Sequence, residues 1–193
     1  MAELGQSERS FGLVADALEE TGVEGVFIGA IAAIAWGRIR TTTDVDLVIP
    51  ASARALDSMT RALAPRGFTV GAPVQADPTD GAPDISVFWS REVPSVRVDM
   101  FHAKTTFEQE VIKTSQEAEV GGRRIRVARP EAVIIYKALA GRPKDEGDLA
   151  AVFEASVALR RGLDWAQIDR WAEDWGITAR LAPWRAKYES RTR

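Results

Sequence analysis

Apolar residues at Phe11, Val14 and Leu18 fall on one face of a helix, and this spacing predicts a helix over residues 8–21 that stops at Thr21 and Gly22. The pattern then shortens. Gly25 to Ile28 reads as a brief buried strand, Gly29 as a turn, and Ala30 to Trp36 as an alanine-rich helix. Asp44 to Ile49 alternates and then runs apolar, as a strand does, and Pro50 with Ser52 opens a third helix reaching about Ala64. Phe68 to Val70 is a short strand candidate. The stretch Gly71 to Pro83 is dense in Gly, Pro and Asp and reads as a loop, after which Ile85 to Ser90 and Val96 to Phe101 are two strands able to pair as a hairpin. Gly121 and Gly122 turn the chain between strands around Ala118 and around Ile125 to Val127.

From Pro130 the period becomes helical, through PEAVIIYKALAG, KDEGDLAAVFEASVALRRG and LDWAQIDRWAEDWG, with Pro130 placed as a helix start and Gly141 as a stop. The pattern therefore predicts an α/β fold with a mixed sheet over residues 1–128, followed by a helical subdomain over 129–193. At 193 residues, with 46% apolar and 27% charged side chains, the chain is long enough to bury a core of its own. With no cysteine and one histidine, His102, it has no thiolate or histidine metal site to offer, so any metal must be held by oxygens. His102 itself reads as a surface or hydrogen-bonded residue. No signal-like start and no span-length apolar run is present in the sequence, which places the expected location in the cytoplasm, away from membranes. The net charge is only −3, but residues 1–120 carry 10 Lys and Arg against 18 Asp and Glu, while residues 121–193 carry 15 against 10. An acidic half beside a basic half fits a cation site next to a surface that meets phosphates; scattered solvated charge fits equally well.

The acidic half concentrates its chemistry in DVDLVIP. Side chains alternate along a strand, so Asp44 and Asp46 share one face while Val45 and Leu47 take the other. Two carboxylates held this close repel, and a hard divalent ion such as Mg²⁺ between them relieves the repulsion. In VRVDMF the same alternation groups Arg97, Asp99 and Phe101 against Val96, Val98 and Met100. If the two strands are neighbours, three carboxylates share a site.

The run FIGAIAAIAWGRIRTTTDVDLVIP resembles the signature of the polymerase-beta-type nucleotidyltransferase superfamily: strand, small-residue turn, helix, and Asp-x-Asp on the next strand. More closely, Gly37, Arg40, Thr41, Thr43, Asp44, Asp46 and Asp99, together with RPEAVIIYKALAGRPKDEGDL, resemble AbiEii-type nucleotidyltransferases, the toxin family of type IV toxin–antitoxin systems, over roughly residues 25 to 150. The resemblance implies that the turn Gly29–Ala30 and Thr43 bind the triphosphate of an NTP such as ATP. It implies that Asp44, Asp46 and Asp99 hold Mg²⁺, with Asp99 as ligand or as acceptor of a proton, and that a hydroxyl attacks the α-phosphorus. The family prefers Gly or Ser where Ala30 stands; alanine is at ease there with negative φ and strained with positive φ.

In the helical half, Lys137 sits on an otherwise apolar helix and must reach the rim or meet an anion, and the resemblance favours the triphosphate. Arg142, Lys144, Asp145 and Asp148 cluster just beyond. Asp145 and Asp148 suit a helix start electrostatically, or place a carboxylate beside the site to orient Lys137 or an arginine. Trp165, Ile168, Trp171, Trp175 and Trp184 read as the core of the C-terminal helices, and Arg160, Arg161, Arg180, Arg185, Arg191 and Arg193 as a nucleic-acid footprint or a solvated tail. The resemblance implies an RNA acceptor, foremost a tRNA 3′ end, and an antitoxin partner. Protein or antibiotic hydroxyls are the other acceptors, and a silent nucleotide- or partner-binding module is the reading from another class.

Overall fold

A computed structural model describes residues 6–74, 84–93 and 95–192, so most of the loop expected between Gly71 and Pro83 lies outside the described residues. The elements follow the order α1 (Gln6–Thr21), β1 (Val26–Phe27), α2 (Gly29–Ala35), β2 (Asp44–Pro50), α3 (Ala53–Leu63), β3 (Phe68–Val70), β4 (Ile85–Ser90) and β5 (Arg97–Ala103). Then come α4 (Thr106–Thr114), β6 (Gln116–Val120), β7 (Arg123–Val127), α5 (Pro130–Ala140), α6 (Pro143–Ala158), α7 (Trp165–Asp174) and α8 (Thr178–Thr192).

The strands form one seven-stranded mixed sheet in the order β3-β4-β5-β2-β1-β7-β6. β2 and β5 run parallel, as do β1 and β7, and the remaining neighbours are antiparallel. The hairpin expected of β4 and β5 forms, pairing Val87 with Asp99 and Trp89 with Arg97.

One element had no counterpart in the hydrophobic spacing. α4 is announced instead by its cap: Thr105 Oγ1 accepts from Glu108 N at 3.2 Å while the Glu108 carboxylate accepts from Thr105 N at 3.1 Å, a reciprocal capping box. α8, the helix that carries Trp184, runs through Pro183.

Residues 129–193 contribute four helices, but they share one continuous apolar core with the sheet. Ile134 and Ile135 of α5 and Leu149 of α6 are buried in the same cluster as Phe27, Leu47 and Met100. At the C-terminal end Phe153 stacks between Trp165 and Trp184, with ring centroids 6.0 and 5.6 Å away. Trp175 departs from the core expected of it and is 43% exposed, because it caps α7 on the solvent side. His102 is buried rather than superficial, paired with Ser86 Oγ at 2.8 Å; burial and then the Lys104 charge hold its pKa below the ordinary value.

Candidate active site

Strand alternation sets the site. Val45 and Leu47 are buried beneath β2, which leaves Asp44 and Asp46 on the opposite face, partly exposed. Because β5 lies parallel to β2 in a register that sets Asp46 opposite Asp99 and Asp44 opposite Arg97, all three carboxylates occupy one patch of sheet. The patch floors an open cleft of about 600 Å³ whose other wall comes from α5 and the start of α6.

Gly29 is required at the head of α2 for two reasons. Its φ is +57°, and a β-carbon built there would collide with the Asp46 carboxylate. Ala30 carries no such demand: among the described non-glycine residues only Arg160 has positive φ, so the alanine follows the turn without strain. Thr43 is exposed, and it is Thr42 that lines the cleft. The reason is parity, since Thr42 shares its direction with Asp44 and Asp46, and Thr42 Oγ1 also accepts from Asp44 N at 3.2 Å.

The carboxylates are not equivalent. Asp46 is pushed up to about 6, first by burial and then by the charges of Asp99 and Asp44, against the opposing pull of Lys137 and Arg142. Burial also raises Asp99, although Arg97 Nε sits 2.6 Å from its Oδ1 and works the other way. That contact engages Oδ1 of Asp99. Among the described residues no group of three His, Cys, Asp or Glu side chains is placed to hold an ion. Asp44 and Asp46 are two hard oxygen donors whose mutual repulsion Lys137 and Arg142 only partly offset, and this donor set fits a small divalent cation.

Lys137 faces the cleft, but its ammonium is neither at the surface nor free: it is buried, 2.7 Å from Asp148 Oδ2 and 3.3 Å from Asp145 Oδ1. Asp148 is fully buried and also receives Arg38 Nε at 3.2 Å and Arg40 Nη1 at 3.8 Å. Asp145 caps α6 through Arg142 N at 3.1 Å and binds Arg142 Nε at 2.7 Å. Burial alone would raise Asp145, yet the bonds from Arg142 and the charge of Lys137 outweigh it and hold the group below the ordinary carboxylate range. The helix-start and site-orienting roles expected of this pair thus coincide in Asp145.

Sequence reasoning missed Arg38, whose partner lies 110 positions away, and the Arg97–Trp89 pair, in which a half-exposed indole carries a guanidinium 5.7 Å from its ring centroid. Trp89 stands in the same cross-strand row as Arg97 and Asp44, which extends the carboxylate face toward the sheet edge. Arg40 faces the cleft with a buried Nε that has no hydrogen-bond partner, an opening for an anionic ligand.

A mixed sheet with an aspartate pair on β2, a third aspartate on a parallel neighbour and a glycine turn abutting the pair is the architecture of a nucleotidyltransferase. Residues 7–176 match the family described as nucleotidyl transferase of unknown function, DUF2204, and the chain belongs to that family. No curated protein matches the sequence. Among solved structures, an antigenic nucleotidyltransferase-like protein from Paracoccidioides brasiliensis superposes with a TM-score of 0.61 at 18% identity, over 97% of this chain and 93% of that one. ANT(2″)-Ia in complex with adenylyl-2″-tobramycin gives 0.57 at 16% identity over 90% and 97%. The lincosamide antibiotic adenylyltransferase LnuA, lincomycin-bound, gives 0.57 at 14% identity over 76% and 96%. At these identities the likeness is one of fold. No helix among the described residues is long and apolar enough to cross a membrane.

Proposed function

We propose that this nucleotidyltransferase moves a nucleoside monophosphate from an NTP to a small hydroxyl-bearing acceptor at the Asp44–Asp46–Asp99 face. The observation that carries the reading is the β2–β5 register, which sets Asp46 opposite Asp99 in a cleft rimmed by Arg40, Arg142 and Lys144. Those three cations suit a triphosphate, with Arg40 Nε as the unsatisfied donor. The acceptor oxygen bonds to the α-phosphorus, the bond to the bridging oxygen of pyrophosphate breaks, and Asp99 takes the hydroxyl proton, steadied by Arg97. Asp44 and Asp46 are the residues that would hold Mg²⁺. When bound, the ion supplies charge neutralisation and Lewis acidity at the attacking and leaving oxygens. Lys137 is assigned as a positioning residue, since its ammonium is engaged by Asp145 and Asp148 while its charge favours ionised Asp46.

For the acceptor, the AbiEii resemblance and the basic second half point to RNA, in a toxin-like enzyme with an antitoxin. The ion pairs favour something smaller. Arg123, Arg124, Arg126, Arg170, Arg185 and Lys187 are engaged by Asp16, Glu117, Glu24, Glu110, Asp169 and Glu154, which leaves few of those charges for a nucleic-acid backbone. The cleft is also in the size range of small-molecule sites, and Trp89 offers a flat apolar ring beside it.

The deciding assay incubates the protein with Mg²⁺ and each α-³²P-labelled NTP, separately with tobramycin, lincomycin, total RNA and cell protein. Label on a small acceptor is the expected outcome, and Trp89→Ala should then raise the acceptor KM with little change in that of the NTP. Label confined to RNA restores the toxin-like reading and overturns the small acceptor. NTP binding with no labelled product in any arm means a silent nucleotide-binding module.

A further inference from the structure

The arginines of the C-terminal half divide into two kinds. Most are neutralised by carboxylates, and Arg180 donates to the Ala138 carbonyl. Arg160 and Arg161 have no carboxylate within ion-pair distance among the described residues, yet they stand side by side on a second pocket of about 550 Å³ at the C-terminal end of α6. Arg191 completes the cationic lining, with a long contact of 3.7 Å to Glu154, and among the described residues no acidic one lines the pocket.

Two features of the Arg161 side chain are not accounted for by the closing of α6. Arg161 places its guanidinium 4.6 Å from the ring centroid of Trp36, and its Nη1 is buried with no hydrogen-bond partner. The Trp36 ring face takes one side of that guanidinium, and its open edge on the pocket keeps donors for an oxyanion. Arg160 has positive φ, +49°, as the left-handed residue that closes α6. The arginine side chains are not needed for that closure. The carbonyls of Ala155, Ser156 and Val157 already accept from the backbone N–H groups of Leu159, Arg161 and Arg160.

We infer that Arg160, Arg161 and Arg191 form a second oxyanion site, separate from the catalytic cleft, that takes a phosphate-bearing ligand over the Trp36 indole. The inference does not depend on the transfer chemistry. The site sits at the end of α2 opposite Gly29, with Trp36 as the C-cap of that helix and its indole N–H bonded to the Ala128 carbonyl at 2.6 Å. The indole is therefore a fixed reporter of the guanidinium above it.

The test follows the Trp36 indole N–H in ¹⁵N–¹H spectra of the full chain, assigned by its loss in Trp36→Phe, during titration with sodium phosphate at constant ionic strength. The wild type should show a saturable shift, and Arg161→Gln should weaken the apparent affinity about tenfold or more, the loss of a charge-assisted contact. Arg160→Gln, an exposed position, carries the same expectation should Arg161→Gln not fold. AMP against adenosine tests a phosphomonoester, and an oligoribonucleotide without terminal phosphates tests a phosphodiester; a saturable, Arg161-dependent response to either supports the site and names its source. A shift equally large in the folded variants reports phosphate in the catalytic cleft and overturns the inference, as does a non-saturable response to every probe.

Discussion

Asp46→Asn should stop nucleotidyl transfer and at the same time raise the stability of the protein. Activity is expected to fall by about three orders of magnitude or more, because the substitution keeps shape and removes one of two charges able to hold the cation. The stability gain follows from linkage. Asp46 has a pKa of about 6 in the fold against an ordinary 3.8, so the folded chain binds this proton more tightly than the unfolded chain does. The favourable contribution is fully present below the unfolded value and is lost as pH rises through about 6. At neutral pH the ionised group then opposes folding by about 3 kcal/mol, and its removal should raise Tm by about 5–10 °C in metal-free protein. Thermal unfolding of both proteins from pH 4 to 8 checks this. The gap should be wide at pH 8 and close toward pH 4, and an Asp46→Asn protein less stable at pH 8 would refute the strained-carboxylate account.

Lys137→Met should act in the opposite direction on stability. Had the ammonium been free to meet a triphosphate, its loss would leave the fold nearly untouched. Instead it lies between Asp145 and Asp148, both buried, and its removal leaves two interior carboxylates short of a partner. Breaking such a pair costs about 3–5 kcal/mol, and the lower end applies because Arg38 and Arg142 remain. Urea unfolding should show that loss, and Asp148→Asn introduced into Lys137→Met should recover part of it. A Lys137→Met protein as stable as the wild type would return the residue to the surface role.

Much of the carboxylate face was legible from parity alone. DVDLVIP and VRVDMF each show which side chains share a face, and Pro130 and Gly141 bound α5 as their chemistry requires, with Gly141 left-handed at φ +58°. The pairing of those faces was not legible, since nothing local in either strand specifies that β2 and β5 run parallel with Asp46 opposite Asp99. The resemblance points to Thr43, whereas it is Thr42 that lines the cleft beside Asp44 and Asp46. The Thr105–Glu108 box is present in the sequence, but the nine-residue helix it caps buries only Phe107 and Val111, too few for hydrophobic spacing to reveal it. Arg38, Arg40 and Lys137 converge on Asp148 from distant segments, so no window of sequence contains their network.

The central claim, that the β2–β5 carboxylate face performs nucleotidyl transfer, is tested most directly by pyrophosphate release from NTPs in the presence of the acceptor pools, with Mg²⁺ or with chelator. Mg²⁺-dependent release by the wild type is expected, matched by α-label on an acceptor, with its loss in both Asp44→Asn and Asp46→Asn while each variant remains folded. Release at the wild-type rate in both folded variants would contradict it.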